Sequence, residues 1–172
     1  MIIIDLEWTC CDNGEFDQKK DGEIIEIGAV MLSADCSSIQ STFQTLVKPY
    51  YNHQLTEFCK TLIGIDQNSI DNARDLTEVH QSFTCWAGSY CGFASWGNDD
   101  FHVLKRGFAD AGLFFPFTEH CNLFRSFRNG QTRVLRRNGM KWHGQRHRAL
   151  NDAMTYAEMV IAEKHTHTFR PI

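Results

Sequence analysis

Two acidic residues stand one position apart near the start of the sequence, in the stretch MIIIDLEWTC. The consecutive isoleucines before them are typical of a strand buried on both faces. Because side chains alternate across a strand, Asp5 and Glu7 point to the same side. Carboxylates held together at the end of a buried strand repel each other and lose solvation, so they need a cation between them to stay ionised. If the strand instead ends at Leu6, both acids are simply solvated, and this segment alone leaves both interpretations open.

Two further acids follow the stretch FASWG, where a β-like run ends at a Trp-Gly turn and a helix begins. Asp99 occupies the position expected for a helix cap. Asp100 opens the first helical turn, where the helix dipole also favours a carboxylate. Capping therefore explains one of these acids and leaves the second available for chemistry.

A histidine and an acid lie close together at the start of the last predicted helix, in HGQRHRALNDAM. On a helix, two side chains five positions apart point in directions about 140° apart. His147 and Asp152 therefore converge only if the histidine lies on the loop before the helix. For His147 taken alone, a surface or core-edge position is the commoner outcome.

The net charge of -4 hides a basic segment. Residues 1–100 hold 16 acids and 5 bases, whereas residues 125–148 hold 8 Lys or Arg and no acid. With Phe124, Phe127 and Trp142 interleaved, this segment offers phosphate contacts and stacking surfaces suited to nucleic acid. A solvated face is the commoner meaning of a charged run, so the segment alone does not decide the function.

Length and composition fit one globular domain of ordinary size, with 172 residues of which 42% are hydrophobic and 22% charged. We therefore expect a single domain over residues 1–172. No stretch is long enough to span a bilayer, and the N-terminal apolar run lacks the length and basic flank of a signal peptide, so no membrane association is expected. Seven cysteines without a CxxC pair favour a reduced, cytoplasmic protein.

The hydrophobic pattern places these residues on a coarse set of elements. It predicts strands near 1–7, 24–32, 40–47 and in SYCGFASWG, and helices near 54–63, 73–87 and 99–111. A short strand is predicted at 123–127, a short helix at 132–137, and a final helix in which apolar residues recur at helical spacing between 150 and 161. Three early strands followed by alternating helices and strands predict an α/β domain with a mixed sheet covered by helices.

Together, these motifs resemble the DEDDh 3′-to-5′ exonucleases, a family with the ribonuclease H-like fold. Asp5 and Glu7 in DLEWT match the first motif, Asp100 in WGNDD the second, and His147 with Asp152 in HRALNDA the third. Three motifs in the right order are a strong signal, whereas each alone is weak. EIIEIGAVML resembles the family's second strand, and LTEFCKTLIGID is similar to a stretch of the 3′ histone-mRNA and small-RNA exonuclease subgroup, which favours RNA.

Three positions limit what the resemblance transfers. The subgroup usually has an aromatic residue just before the second-motif Asp, and because Asp99 stands there, it remains a rival to Asp100 as a metal ligand. Ile63 replaces a usual Thr. Glu26 lies in a strand among apolar residues but matches no ligand motif, and we interpret it as structural.

The resemblance implies a role for each motif residue. Two divalent cations, Mg²⁺ or Mn²⁺, would be held by carboxylate oxygens. The implied ligands are Asp5, Glu7, Asp100 and Asp152. His147 would act as the general base that takes a proton from the attacking water. The implied substrate contacts are Trp8 and Thr9 at the terminal nucleotide, with Arg146 and Arg148 at phosphates.

The predicted function is therefore a metal-dependent 3′-to-5′ exonuclease acting on the 3′ ends of single-stranded nucleic acid. RNA is favoured and DNA possible, and the products would be nucleoside 5′-monophosphates. An endonuclease of the same broad fold is one alternative, and a catalytically silent nucleic-acid-binding protein is another. The presence of all five motif residues disfavours the silent protein. The sequence identifies no protein partner.

Overall fold

A five-stranded mixed sheet forms the centre of the protein in the computed structural model, which describes residues 1–127 and 130–164. Its strands are β1 (Ile2–Trp8), β2 (Ile24–Leu32), β3 (Ile39–Leu46), β4 (Gly92–Ser95) and β5 (Glu119–Asn122). Their order across the sheet is β3-β2-β1-β4-β5. β1 is antiparallel to β2 and parallel to β4, β2 is antiparallel to β3, and β4 is parallel to β5. β1 is therefore the central strand, as its isoleucine run predicted.

Helices cover both faces of this sheet. The described helices are α1 (Gln18–Asp21), α2 (Glu57–Ile63), α3 (Gln67–Asp71), α4 (Leu76–Ala87), α5 (Asp99–Asp110), α6 (Leu123–Ser126), α7 (Gly130–Arg137) and α8 (Ala149–Glu163). Apolar side chains of α4 and α5 pack on one face, and those of α6, α7 and α8 pack on the other. The predicted α/β architecture, a mixed sheet covered by helices, is confirmed. Within the described ranges, no helix is long and apolar enough to cross a membrane.

The alternation along β1 divides its side chains between the two cores. Ile2, Ile4 and Leu6 pack with α4 and α5, while Ile3 packs in the core beneath α8. Asp5 and Glu7 share the face of Ile3, so both acids point toward the α8 side of the sheet.

The start of α8 rests directly on β2 at Gly28, which pairs with Asp5 of β1. A Cβ atom at Gly28 would lie 2.1 Å from the Ala149 carbonyl carbon and from the Leu150 nitrogen. Only glycine therefore allows the helix to approach this closely. The close approach brings the first turn of α8 beside the acids of β1.

The predicted strand at 123–127 is wrong, because the chain turns into helix α6 there. β5 lies just before it and ends at Asn122. The Asn122 side-chain oxygen accepts a hydrogen bond from the Arg125 backbone N–H at 3.2 Å and so caps α6. A single helical turn is too short to carry a hydrophobic period.

Two short helices, α1 and α3, had no predicted counterpart. Each begins at an acidic cap: Asp17 accepts from the Lys19 N–H at 3.1 Å, and Asp66 accepts from the Ser69 N–H at 2.7 Å. Their four and five residues are too few for an apolar face to show in the sequence.

Candidate active site

The acids of β1 lie where the strand is no longer paired on one side. β4 pairs with β1 only at Ile2 and Ile3, so the later part of that edge is open. Asp100, in the first turn of α5, accepts a hydrogen bond there from the Leu6 backbone N–H at 3.1 Å. This bond places a third carboxylate beside Asp5 and Glu7.

The two neighbouring acids of α5 have different surroundings. Asp100 is 7% exposed. The Asp99 side chain is 58% exposed and lies 3.6 Å from the Lys19 ammonium. The prediction that Asp99 caps the helix is wrong: Asn98 occupies the cap position but makes no side-chain cap bond. The Asn98 oxygen instead accepts from the Asn122 side chain at 2.7 Å.

The fourth carboxylate, Asp152, enters from the first turn of α8. Its Oδ1 accepts from the Trp142 indole N–H at 2.7 Å, and its Oδ2 accepts from the His147 backbone N–H at 3.2 Å. Because two donors fix both oxygens, the orientation of this carboxylate is set before any ligand arrives.

His147 lies on the loop before α8, the only arrangement in which it can reach the same site as Asp152. One ligand atom from each of Glu7, His147 and Asp152 falls within 4.8 Å of the others. The His147 backbone has φ 59, a left-handed conformation that non-glycine residues seldom adopt. The loop backbone therefore adopts this conformation at some energetic cost.

Burial raises the pKa of all four carboxyl groups, and repulsion by neighbouring acids adds to the shift at Asp5, Glu7 and Asp100. Burial, then the charges of Asp100, Glu7 and Asp152, raise the pKa of Asp5 well above its ordinary value. Burial and the nearby acids raise the pKa of Glu7 to about 8, and burial raises that of Asp100 to about 7. Burial also raises the pKa of Asp152, although the bond from Trp142 opposes the shift.

No Lys or Arg of the described chain lies within ion-pair distance of these four carboxylates. Four buried acids that repel one another, with no cation to pair them, are destabilising unless a positive ion binds. Carboxylate oxygens are the ligands that hard divalent cations prefer. The donor set therefore fits a divalent metal site.

An ion pair with a fully buried carboxylate anchors the loop that carries His147. Glu26 of β2 is 0% exposed and accepts from Arg148 Nε at 3.1 Å, Arg148 Nη2 at 2.9 Å and the Ala149 backbone N–H at 3.1 Å. Gln44 of β3 donates to it as well, at 2.7 Å. These contacts agree with the structural interpretation of Glu26 and tie the start of α8 to the sheet.

The four residues predicted to contact substrate lie in different environments. Arg148 is engaged by Glu26, so its guanidinium is directed into the protein and the geometry gives no support to a phosphate contact. Thr9 is 2% exposed, and its hydroxyl accepts from the Glu23 N–H at 2.9 Å. Trp8 is half-buried. Arg146 is exposed, with its guanidinium carbon 4.6 Å from the centre of the Trp142 ring.

Sequence reasoning missed the side chains that hold the site in place. Trp142 was considered only as a stacking surface, and Arg148 only as a phosphate contact. A buried acid in the apolar run EIIEIGAVML requires a partner, and that requirement was the signal for the pair of Glu26 and Arg148. No sequence pattern pointed to the indole bond on Asp152.

Comparison with known proteins gives the chain its family. A family model for exonucleases matches residues 2–160. The rat "3′-5′ exoribonuclease 1" is 29% identical over 94% of this chain and 52% of its own length. The human "ERI1 exoribonuclease 2" is 26% identical over 91% of this chain and 27% of its own length. The chain therefore spans about half and about a quarter of these two relatives.

Two solved structures share the architecture. The nuclease domain of 3′hExo, a DEDDh family member bound to rAMP, superposes with a TM-score of 0.85 and 28% identity, covering 98% of this chain and 94% of that chain. A 3′-exonuclease recognising the histone mRNA stem-loop gives a TM-score of 0.79 and 26% identity, covering 94% and 80%. The resemblance to the DEDDh exonucleases is confirmed, and the chain belongs to the exonuclease family.

Proposed function

We propose that this domain is a metal-dependent 3′-to-5′ exonuclease that removes nucleoside 5′-monophosphates from single-stranded 3′ ends, with RNA preferred to DNA. The convergence of four buried carboxylates and His147 at one end of β1 is the observation that carries the proposal. The names of the relatives, which are exoribonucleases, support the polarity and the preference for RNA. The rAMP bound to 3′hExo supports a nucleoside monophosphate as product.

We infer that the site takes two divalent cations, Mg²⁺ or Mn²⁺. The proposed ligands are Asp5, Glu7, Asp100 and Asp152. Such ions, when bound, would neutralise the phosphate, lower the pKa of the attacking water and stabilise the negative charge that develops on the leaving oxygen. The buried carboxylates attract these ions most strongly when all four are deprotonated, so binding displaces protons from the site.

The residues around the carboxylates prepare the reaction. His147 accepts the proton of the attacking water on a ring nitrogen. The water oxygen bonds to the last phosphorus of the strand, and the bond from that phosphorus to the preceding 3′ oxygen breaks. That oxygen keeps the electron pair and takes a proton from solvent to become the new 3′-hydroxyl. Trp142 and the His147 backbone N–H keep Asp152 oriented. Glu26 and Arg148 hold the loop, so we assign Arg148 a positioning role.

Trp8 and Arg146 remain the proposed substrate contacts. Both have solvent-accessible side chains, and each lies next to a residue of the site in sequence, Glu7 and His147 respectively. Thr9 instead supports the chain after β1, because its hydroxyl and its N–H both bond to the backbone of Glu23. We also propose that residues 1–172 act as one domain in the cytoplasm, a location supported by seven cysteines that form no disulfide.

The direct test uses 5′-labelled single-stranded RNA and DNA of the same sequence with Mg²⁺ or Mn²⁺. A ladder that shortens by one nucleotide at a time, is faster on RNA and is absent in chelator is expected. Cleavage of a circular RNA would favour an endonuclease. Binding without any hydrolysis would favour the silent nucleic-acid-binding protein.

A further inference from the structure

Three parallel strands end at the same edge of the sheet, and aromatic side chains follow two of them. β1 ends in the catalytic carboxylates, Trp96 follows β4, and Phe124 follows β5. Adjacent strands lie about 4.8 Å apart, so two strand spacings separate Phe124 from the β1 acids by about 10 Å along this edge. The carboxyl edge of parallel strands is where ligands bind in open α/β sheets.

Aromatic contacts connect this edge to the candidate active site. Phe124 meets Trp96 edge to face at 6.1 Å, and Trp96 stacks on Tyr156 at 5.2 Å with 19° between the rings. Tyr156 in turn meets Trp142 at 5.9 Å, and the Trp142 indole holds Asp152. We call Phe124, Trp96, Tyr156 and Trp142 the aromatic row. Packed rings thus run without a break from the surface to a site carboxylate.

The outer end of the aromatic row is open to solvent. Phe124 is 61% exposed although its neighbour Leu123 is fully buried. Trp96 is partly exposed and contacts the Phe124 ring edge to face, while Tyr156 is buried beneath Trp96. An exposed aromatic ring suits stacking by a nucleotide base of any type.

Basic side chains accompany the row. Arg125 follows Phe124 directly, and Arg146 lies over Trp142 at the opposite end. Four exposed bases of this segment have no carboxylate within ion-pair distance among the residues that the structure describes. They are Arg125, Arg136, Lys141 and Arg146. Arg137, by contrast, is engaged by the buried Glu163. Charge and stacking surface therefore occur together, as single-stranded nucleic acid requires.

The opposite flank of the same edge has exposed aromatics but the wrong charge. Tyr50 and Tyr51, 73% and 79% exposed, follow β3 beside a groove. The three bases that line this groove are already engaged: Arg106 donates to the carbonyls of Lys19 and Gly22, Lys48 donates to the Asp71 carbonyl at 3.0 Å, and Lys20 lies 3.6 Å from Asp17. The acids that line it are Asp21, Glu23, Asp75 and Asp110. A polyanion is therefore favoured on the Phe124 side.

We propose that the aromatic row and its basic side chains bind the single strand immediately upstream of the 3′ terminus. Bases stack on the exposed ring of Phe124, and phosphates contact Arg125 and Arg146. This surface rests on the proposed function, because it assumes that the 3′ terminus lies at the carboxylates. It extends recognition from the terminal nucleotide to those that precede it.

The test measures binding of a 5′-fluorescein, twelve-nucleotide RNA to the full chain in chelator, by anisotropy over a range of salt concentrations. Phe124→Ala should weaken binding at least about fivefold, the loss expected for one stacked base. Arg125→Gln should lower the slope of log K against log salt by about 0.7. Phe114→Ala is the matched control, since Phe114 is 76% exposed but precedes β5 and so lies at the other edge. It should bind within twofold of the parent.

The binding of these variants either supports or overturns the proposed single-strand surface. Equal binding by Phe124→Ala and Phe114→Ala would overturn the surface, and so would a loss caused by Tyr51→Ala in place of Phe124→Ala. Because the assay needs no catalysis, a chain that binds through Phe124 but never shortens RNA would support the surface while overturning the exonuclease. Thermal melts of the variants, expected to match the parent because each side chain is exposed, exclude unfolding as the cause.

Discussion

Removing Arg148 leaves the Glu26 carboxylate buried without its counter-charge, and this perturbation tests how the site is held in place. Glu26 is 0% exposed, and after Arg148→Ala the donors left to it among the described residues are Gln44 Nε2 and the Ala149 N–H, both neutral. Breaking a buried ion pair by removing one partner costs about 3–5 kcal/mol. Because the Arg148 side chain is 30% exposed and already partly screened, the lower end, about 3 kcal/mol, is expected.

Glu26→Gln should cost less than Arg148→Ala, about 1–2 kcal/mol, because the amide keeps the shape while Arg148 can turn toward water. The double variant should then be more stable than Arg148→Ala alone, since no charge is left buried. Urea unfolding of the two single variants and the double variant measures this coupling. Equal losses for Arg148→Ala and the double variant would refute the buried-charge explanation.

Activity separates a positioning role from a purely structural one. Misplacement of the loop by about 1 Å can cost on the order of 100-fold in rate, so Arg148→Ala should lower kcat far more than it changes KM. Arg137→Ala is the matched control, because Arg137 pairs with the buried Glu163 at the far end of α8. It should lower stability but not kcat. If Arg148→Ala instead raises KM and flattens the salt dependence of binding, Arg148 contacts phosphate and the positioning role is refuted.

Three further predictions concern the site itself. Asp100→Asn should abolish turnover in a single-strand hydrolysis assay, while Asp99→Asn should keep most of it; the reverse would reassign the second motif. His147→Asn, chosen because asparagine tolerates positive φ, should lower kcat about 10²–10⁴-fold with RNA binding in chelator unchanged, and weaker binding would make His147 a substrate contact. In chelator, the pKa values of Glu7, about 8, and Asp100, about 7, lie above the ordinary values of 4.5 and 3.8. The stability that these protonated groups contribute is present below about pH 4 and is lost as pH rises to about 8. In chelator, the Tm should therefore be lower at pH 8.5 than at pH 5.5. The increase in Tm on adding Mn²⁺ should be larger at pH 8.5. A Tm in chelator that does not change with pH would contradict the raised pKa values.

Hydrophobic periodicity was enough to locate the elements that position the site. The isoleucine run of β1 and the helical spacing of α8 predicted the bounds of both elements within about two residues. A strand buried on both faces leaves a continuous apolar run, whereas a helix that packs on a core leaves apolar residues at helical spacing. The separate fates of Asp99 and Asp100 were not predictable from spacing. They depend on contacts distant in sequence: the Leu6 N–H donates to Asp100, whereas exposed Asp99 lies beside Lys19.

The interactions that orient the site came from residues distant in sequence. Glu26 and Arg148 are 122 positions apart, and no local pattern joins them. Gly28 matters only because α8 crosses β2 there, which is a property of the assembled fold. The ordered motifs predicted the four acids and His147 as site residues, whereas the residues that contact and orient them could be found only from the structure.

The identity of the first product from a 3′-end-labelled RNA tests the central claim most directly. If the carboxylates and His147 act on the last phosphodiester, the only early labelled product is a nucleoside 5′-monophosphate, formed by the parent with Mg²⁺ or Mn²⁺ and absent for Asp100→Asn. Separation of the products by thin-layer chromatography within the first turnovers distinguishes the outcomes. A labelled oligonucleotide or a nucleoside 3′-phosphate as the first product would contradict the proposed reaction.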